Sequence, residues 1–308
     1  MKNFIKIVSV MILIAAVYSA VPVAALYLGK DARPISNEEA LKKIGGEGDH
    51  FEFIVLGDNH AGLPFNDSAF LKMIRSINRE DRFKKVPIDF VEITGDITCR
   101  GSVWDYRVFN KIRPMIKWPV VAAIGNHDND NNGQARFKQA VGDKEFTFAD
   151  RNSFFITLDN ENGDLTDEQL RRFEGELQRS ASYTHRFVFL HKAPLSLYQQ
   201  SWFRPELNSW AYPFMKLCEK YKVDIVFSGH EHMYKEGVYG GVKYICSGGG
   251  GMLIQYPERD GGYLHYVVVR VYGDYVDYEV RKIFPPLWEF FTYYMWKDIF
   301  YLLKDTFF

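Results

Sequence analysis

The chain has 308 residues, of which 47% are hydrophobic and 25% charged, as in an ordinary globular protein with a sizeable core. Its formal net charge is −1, so the overall charge favours neither nucleic acid binding nor electrostatic docking onto anionic lipid. The three cysteines, Cys99, Cys218 and Cys246, form no CxxC motif and are odd in number, so no disulfide framework is predicted.

An uncharged apolar run extends from Ile7 to Gly29, behind Lys2 and Lys6. It is long enough to span a bilayer, which takes about 20 apolar residues. It also exceeds the roughly 7–15 apolar residues of a signal peptide. We therefore predict that residues 1–29 are a membrane anchor, with a cleaved signal as the alternative. The basic N-terminus favours an exported catalytic domain in the cell envelope, although positive charge also follows the run.

After a polar linker over residues 30–50, strand-like runs alternate with amphipathic ones. Strands are predicted from Phe51, Ile88, Pro119, Phe154, Arg186 and Asp224, and helices from Asp67, Val103 and Thr166. Three later runs, "GVKYICSG", "GYLHYVVVRVYG" and "YVDYEVRK", alternate as in an antiparallel sheet. This order predicts an α/β domain in which helices cover mixed sheets.

The C-terminal segment, residues 284–308, is rich in aromatic residues. Drawn as a helix, it places Trp288, Phe291, Met295 and Ile299 on one face, while Lys297 and Asp298 lie roughly opposite. We predict an amphipathic segment at the membrane interface. A helix packed on the domain or a dimer contact is the alternative.

Polar motifs follow five of the predicted strands. They are "GDNH" with Asp58 and His60, "GDIT" with Asp96, "GNHD" with Asn126, His127 and Asp128, "LHKAP" with His191, and "GHEH" with His230 and His232. In α/β sheets, ligands bind beyond the carboxyl ends of the strands, so these motifs are expected to converge on one site.

The chemistry of these side chains favours metal binding. Carboxylates, imidazoles and one amide without a thiolate suit Mn, Fe or Zn in a catalytic centre. The donors are too many for a single catalytic ion that keeps an open position. Two ions about 3.5–4 Å apart, bridged by one carboxylate, would use all of them.

The motifs D-x-H, G-D, G-N-H-D, a single His and G-H-x-H, in this order, resemble the calcineurin-like metallophosphoesterase family. The likeness covers residues 51–283, which we take as the metallophosphoesterase domain. It implies a four-layer α/β/β/α sandwich of two mixed sheets flanked by helices, with two metal ions between the sheets.

Carried over to this chain, the resemblance implies a ligand set for each ion. Asp58, His60 and His232 would hold the first ion, Asn126, His191 and His230 the second, and Asp96 would bridge the two. The resemblance also implies in-line attack on phosphorus by a hydroxide held between the ions.

The same resemblance assigns His127 to the substrate, where it would stabilise charge or protonate the leaving oxygen, with Asp128 orienting it. A histidine that only forms hydrogen bonds and an aspartate that only shapes a turn are the alternatives. Arg100, Tyr198 and Arg204 are candidate substrate contacts. Ordinary surface positions are the alternative for all three.

The sequence therefore predicts a binuclear-metal-dependent hydrolase of phosphodiesters, phosphomonoesters or pyrophosphates. It would act at a membrane on a lipid-linked, envelope or nucleotide substrate, with membrane lipid as a partner and no nucleic acid. The alternative is a catalytically silent scaffold with the same fold, although such a protein is expected to lack some of the ligands.

Overall fold

The computed structural model describes residues 22–80, 86–194, 210–254 and 256–284, and two sheets of mixed strand direction form their centre. The first sheet contains β1 (His50–Leu56), β2 (Ile88–Ile93), β3 (Val120–Ala122), β10 (His265–Tyr272) and β11 (Tyr275–Lys282), in the order β11-β10-β1-β2-β3. The second contains β4 (Phe146–Asp150), β5 (Ser153–Thr157), β6 (His185–Lys192), β7 (Ile225–Gly229), β8 (Tyr234–Tyr239) and β9 (Val242–Ser247), in the order β4-β5-β6-β7-β9-β8.

Helices connect and cover these strands. They are α1 (Asn37–Leu41), α2 (Pro64–Ile77), α3 (Val103–Ile112), α4 (Asn126–Asn129), α5 (Gln134–Ala140), α6 (Asp167–Arg179) and α7 (Ala211–Lys220). Residues 22–28 are also helical. The predicted N-cap Thr166 is confirmed, because its hydroxyl accepts a hydrogen bond from the backbone N–H of Gln169.

Three hydrophobic clusters separate four layers. One lies between α2, α3, α5 and the first sheet, a second lies between the two sheets, and a third lies between the second sheet and α6 and α7. Alternate residues of one strand belong to different clusters, as the period of two requires: in β1, Phe53 packs between the sheets and Ile54 packs beneath the helices. The expected α/β fold of mixed sheets and helices is confirmed.

Phenylalanines dominate the layer between the sheets. The ring centroid of Phe53 lies 5.1 Å from that of Phe90 in its own sheet and 5.0 Å from that of Phe187 in the other sheet. These contacts hold β1 and β2 against β6, and so bring together the strand ends that carry the polar motifs.

The predicted antiparallel arrangement of the last three strands holds for β10 and β11 and only in part for β9. This strand pairs in parallel with β7 in the second sheet and is antiparallel to β8, whereas β10 and β11 join the first sheet. Alternation shows that a strand has one buried face, but it does not identify the neighbouring strand. The partly exposed edge strands β4 and β8 and the helices α1, α4, α5 and α7 were not predicted from the sequence.

The predicted linker and membrane segments are described only in part. Within residues 30–50, α1 packs on the domain, and the buried amide of Asn37 donates to the carbonyl of Ala122. Residues 1–21 and 285–308 lie outside the described part of the chain. No helix in the described ranges is both long and apolar enough to cross a bilayer.

His185 provides a test of how pH affects stability. Its Nδ1 lies 3.1 Å from Asp224 Oδ1, and its Nε2 lies 2.8 Å from the Gly273 carbonyl. Burial alone would lower the pKa of His185, but these partners outweigh it and raise the pKa above its usual value. The protonated ring therefore stabilises the fold fully below the unfolded pKa of about 6.5, and that stability is lost as pH rises through the folded pKa.

We expect His185→Gln to lower the melting temperature most at about pH 6, with a difference that shrinks above the folded-state pKa. Thermal unfolding between pH 5.5 and 9 measures this difference. His50→Gln is the matched control, because the side chain of His50 is 57% exposed. A difference for His185→Gln that grows with pH would contradict the assignment.

Candidate metal centre

The polar motifs follow the carboxyl ends of the parallel strands, and the backbone there is unusual. Asp58, His60, Asp96 and His230 have φ angles of 63°, 46°, 50° and 70°, in the left-handed region that residues with a side chain seldom adopt. Such strain clusters at functional sites, because the surrounding structure must hold it in place. This backbone places the buried side chains of Asp58, His60 and Asp96 and the exposed side chain of His230 at one edge of the sheets.

The glycines of these motifs are required mainly because other atoms lie too close to leave room for a Cβ, and less because of their own backbone conformation. A Cβ on Gly125 would lie 2.2 Å from Asp96 Oδ1, and a Cβ on Gly229 would lie 2.4 Å from Asp58 Oδ2. Of the glycines before Asp58, Asp96, Asn126 and His230, only Gly95 has a positive φ. The expectation that glycine itself makes the sharp turn therefore holds for Gly95 alone.

The structure brings the predicted ligands together from both sheets. Asp58, His60 and His232 offer ligand atoms within 4.8 Å of one another, and so do Asp96, His191 and His230. The Oδ2 atom of Asp96 lies 3.4 Å from Nε2 of His60 and 3.4 Å from Nε2 of His191. Asp96 therefore lies between the two groups, in the position expected for a bridging carboxylate.

Two of the imidazoles are oriented as metal ligands are. Nδ1 of His191 lies 2.9 Å from the Thr94 carbonyl, and Nδ1 of His232 lies 3.1 Å from the Leu253 carbonyl. Because a carbonyl only accepts, each Nδ1 carries a hydrogen. The Nε2 of His191 lies 3.1 Å from the Asn126 amide oxygen, and that of His232 lies 3.7 Å from Asp58 Oδ1. A backbone partner on the outer nitrogen is typical of metal-ligating histidine.

The donor set fits divalent metal ions. His60 is completely buried, yet neither of its ring nitrogens has a hydrogen-bond partner. A buried polar group without a partner is rare, and an ion at its Nε2, close to Asp58 and Asp96, would satisfy it. Carboxylate, imidazole and amide donors together suit first-row metals.

Burial and neighbouring charges both shift the pKa values of the side chains in this cluster. Burial alone would lower the pKa of His191, but the carboxylates of Asp96 and Asp58 and the hydrogen bond to Thr94 together outweigh it and raise that pKa to about 9. Burial would raise the pKa of Asp96, but His191 and His60 hold it well below its usual value. Burial also raises the pKa of Asp58. A cation bound beside these buried carboxylates would stabilise their charged forms.

His127 lies at the mouth of the cluster. Its side chain is 39% exposed, and its ring centroid lies 4.7 Å from that of His60. Its Nδ1 lies 2.9 Å from the Cys99 carbonyl, and its backbone N–H donates to Asp96 Oδ1. The ring also lies within ligand distance of His60 and Asp96, so metal binding and substrate contact are both geometrically open to it.

The prediction that Asp128 orients the ring of His127 is wrong. The Oδ1 of Asp128 accepts hydrogen bonds from the backbone N–H and the hydroxyl of Thr98, and its Oδ2 accepts from the N–H groups of Gly125 and Ile97. Because these donors saturate the carboxylate, the Cys99 carbonyl orients His127 instead. Asp128 holds together the two loops that carry Asp96 and Asn126.

We expect Asp128→Asn to destabilise the fold by about 2–3 kcal/mol, since an amide has one acceptor oxygen and its NH₂ group would face N–H donors. Thermal unfolding of the purified chain measures this loss. Asp274→Asn is the matched control, because Asp274 is exposed in the turn between β10 and β11, away from the cluster. Unchanged stability with a large loss of turnover would instead give Asp128 a direct catalytic role.

Two supporting features were missed in the sequence. Asn160, which follows β5, accepts from the N–H groups of His191 and Lys192 and thereby fixes the His191 loop. A Cβ on Gly248 would lie 2.1 Å from the Glu231 carbonyl, so the glycine run 248–251 lets a loop pack against the "GHEH" turn. Both were detectable, the first as a polar residue after an apolar strand and the second as four consecutive glycines.

Of the three candidate substrate contacts, only Arg100 lies within the described residues. Arg100 is exposed at the end of the loop that follows Asp96, where its backbone N–H donates to Asp105. Tyr198 and Arg204 lie outside the described residues.

Fold and site together define an α/β protein with a candidate metal centre at the carboxyl ends of its strands. The chain belongs to the calcineurin-like phosphoesterase family, whose sequence profile matches residues 51–234, more than half of its length. The resemblance noted in the sequence is thereby confirmed.

Relatives with curated descriptions share part of the chain. A probable cyclic nucleotide phosphodiesterase of Vesicomyosocius okutanii is 28% identical over 195 residues, covering 62% of this chain and 80% of that protein. A protein of Xenorhabdus bovienii with the same description is 25% identical over 156 residues, covering 47% of this chain and 61% of that protein.

Solved structures share the fold. Purple acid phosphatase PPD1 of yellow lupin aligns with a TM-score of 0.61 at 17% identity, covering 77% of this chain and 52% of that chain. GAP50 of Plasmodium aligns with a TM-score of 0.57 at 13% identity, covering 76% of this chain and 85% of that chain. At these identities the likeness concerns the fold alone.

Proposed function

We propose that the chain is a metal-dependent hydrolase of phosphoesters and that phosphodiesters are its leading substrate class. The observation that carries this proposal is the convergence of two ligand groups on Asp96, with a half-exposed histidine beside them. The description of the two bacterial relatives as probable cyclic nucleotide phosphodiesterases supports the choice of a diester.

The ligands would be shared between two ions in the way that the resemblance implied. Asp58, His60 and His232 would hold one, Asn126, His191 and His230 the other, and Asp96 would lie between them. When bound, divalent ions supply positive charge that stabilises the phosphoryl oxygens and lowers the pKa of water. Mn, Fe and Zn all suit these donors.

His127 would supply the proton that the leaving oxygen needs. The Cys99 carbonyl keeps a hydrogen on Nδ1, so Nε2 is the atom that can exchange a proton with substrate. Partial exposure of the ring leaves room for an ester beside it. This geometry suits general acid catalysis, in which the donor must come within hydrogen-bond reach of the leaving group.

A catalytically silent scaffold is the alternative function. Such a protein is expected to have lost one or more ligands. The described residues retain both groups and the histidine beside them, which favours an enzyme. Bound metal without turnover on any phosphoester would favour the scaffold.

We also propose that the protein works at a membrane, with its catalytic domain outside the cytoplasm. Support comes from the uncharged run between Ile7 and Gly29, the basic residues before it, and the aromatic segment from residue 284 onward. Membrane placement would add lipid-linked phosphodiesters and pyrophosphates to the candidate substrates.

A turnover screen of the purified chain tests the proposal. An aryl phosphodiester, an aryl phosphomonoester, a cyclic nucleotide and a lipid-linked pyrophosphate are compared with Mn²⁺ added or chelated. We expect metal-dependent turnover with the diester preferred. Asp96→Asn, purified in parallel, is the control for contaminating phosphatases. Turnover that is equal in this variant, or that survives chelation, would contradict the proposal.

A further inference from the structure

Five exposed apolar side chains lie on the edge of the domain that carries the metal cluster. They are Leu28 (88% exposed), Phe65 (37%), Val103 (69%), Trp104 (37%) and Phe284 (75%), and we call them the apolar rim. Exposed apolar residues that cluster on one side of a soluble domain mark a contact surface, whereas isolated ones are ordinary.

The rim shares its edge with the cluster because of chain connectivity. Phe65 lies in the first turn of α2, directly after the loop that carries Asp58 and His60. Val103 and Trp104 begin α3, directly after the loop that carries Asp96. β11 is parallel to β1 through their common neighbour β10, so Phe284, just beyond β11, lies at the same edge.

The end of the N-terminal apolar run is docked beside this rim. Val23 and Leu26 are buried, Leu26 in the cluster beneath α2 and α3. The ring of Tyr27 lies 5.2 Å from that of Trp104 in an edge-to-face contact, and its hydroxyl donates to Asp67 at 2.5 Å.

A buried lysine completes this docking. The Nζ of Lys111 donates to the carbonyl of Leu26 at 3.1 Å and to that of Gly29 at 2.6 Å, and so caps the helical residues 22–28. Residues 22–29, the last of the apolar run, are therefore fixed to the domain beside the rim.

The C-terminal aromatic segment leaves the domain on the same side. Ile283 is buried in the cluster beneath α2 and α3, and Lys72 on α2 donates a hydrogen bond to the carbonyl of Phe284. Phe284 is the first residue of the aromatic segment. Both apolar terminal segments thus join the domain at its first helical layer.

We propose that the apolar rim contacts a lipid bilayer, so that the metal-cluster edge of the domain faces the membrane surface. The rim adjoins the end of an uncharged apolar run, and Trp104 is the residue type enriched at membrane interfaces. If the proposed hydrolase function is correct, on which this extension rests, the substrate is a phosphoester whose apolar part stays in the bilayer.

Lipid contact is tested with the full chain in phosphatidylcholine vesicles that contain some phosphatidylglycerol. A fluorophore is attached at Val103→Cys or, as a control, at Val238→Cys. Val238 is 67% exposed but lies on β8 beside the start of β9, at the opposite edge. The native cysteines are buried, so the introduced thiol takes the label, and unsubstituted chain provides the blank.

We expect a quencher attached to lipid headgroups to quench the fluorophore at position 103 several-fold more than the one at position 238. Equal, weak quenching at both positions would overturn the proposal. Protection from an aqueous quencher without quenching by lipid would also overturn it, since it would assign the rim to a protein partner or a second copy.

A second readout separates this inference from the proposed activity. Val103→Ser and Leu28→Ser are expected to lower turnover of a vesicle-embedded lipid phosphodiester several-fold and to leave a soluble aryl phosphodiester unaffected. Equal losses on both substrates would contradict a role in lipid contact. If wild-type chain turns over neither substrate, the hydrolase proposal fails, while the quenching result still decides whether the rim meets lipid.

Discussion

Replacing Asp96 by Asn is expected to lower kcat/KM on a phosphodiester by about 10²–10⁴-fold and to reduce the bound metal. The Oδ2 of Asp96 lies 3.4 Å from the Nε2 atoms of both His60 and His191, so this carboxylate serves both ligand groups. An amide keeps the shape of the side chain but removes the negative charge that lies between the two ligand groups. Metal analysis and steady-state kinetics on the same preparation measure both effects.

The fold of Asp96→Asn should remain, because the loop geometry depends mainly on Asp128 and on backbone hydrogen bonds. Circular dichroism and thermal unfolding check this expectation. Asp274→Asn, an exposed carboxylate in the turn between β10 and β11 at the opposite edge of the sheet, controls for a general effect of lost charge. If Asp96→Asn binds as much metal as wild type and turns over at the same rate, the bridging assignment is wrong.

The second prediction is that His127→Ala lowers kcat by about 10²–10⁴-fold while leaving the bound metal unchanged. The ring sits at the mouth of the cluster with Nδ1 held by the Cys99 carbonyl, so its loss should remove a proton donor and keep the ligand groups intact. The loss is expected to be larger for an alkyl leaving group than for an aryl one, because the poorer leaving group needs the proton more.

Metal analysis separates the two roles that geometry leaves open to His127. Retained metal with the predicted dependence on leaving group supports a general acid. Reduced metal with equal losses for both esters would make His127 a ligand, as its position near His60 and Asp96 also allows. His50→Ala, which changes an exposed histidine outside the site, is the matched control and should behave as wild type.

Much of the fold was predictable from local signals. The strands from Phe51 and Ile88 are apolar runs that end in a polar motif, and they appear as β1 and β2. The strand partners were not predictable, because alternation specifies a buried face and no neighbour. β9 therefore joined the second sheet against expectation, and the less apolar edge strand β4 gave too weak a signal.

For the candidate site, the residue types and their order identified the candidate ligands. Only the three-dimensional structure showed which groups form hydrogen bonds with them. Three of the four donors to Asp128 come from Thr98 and Ile97, about thirty positions earlier in the chain, so a motif containing Asp128 could not reveal its role. The hydrogen bonds that set the tautomers of His191 and His232 likewise come from backbone carbonyls distant in sequence.

The sequence by itself determined the family, the ligand chemistry and the presence of apolar segments at both ends, since these depend on residue type and spacing. The tertiary structure decided that Asp96 lies between the two groups, that Cys99 rather than Asp128 orients His127, and that Leu28, Trp104 and Phe284 share one edge. The physical reason is that hydrogen bonds and packing act over a few ångströms in space, between residues whose separation along the chain carries no information about that distance.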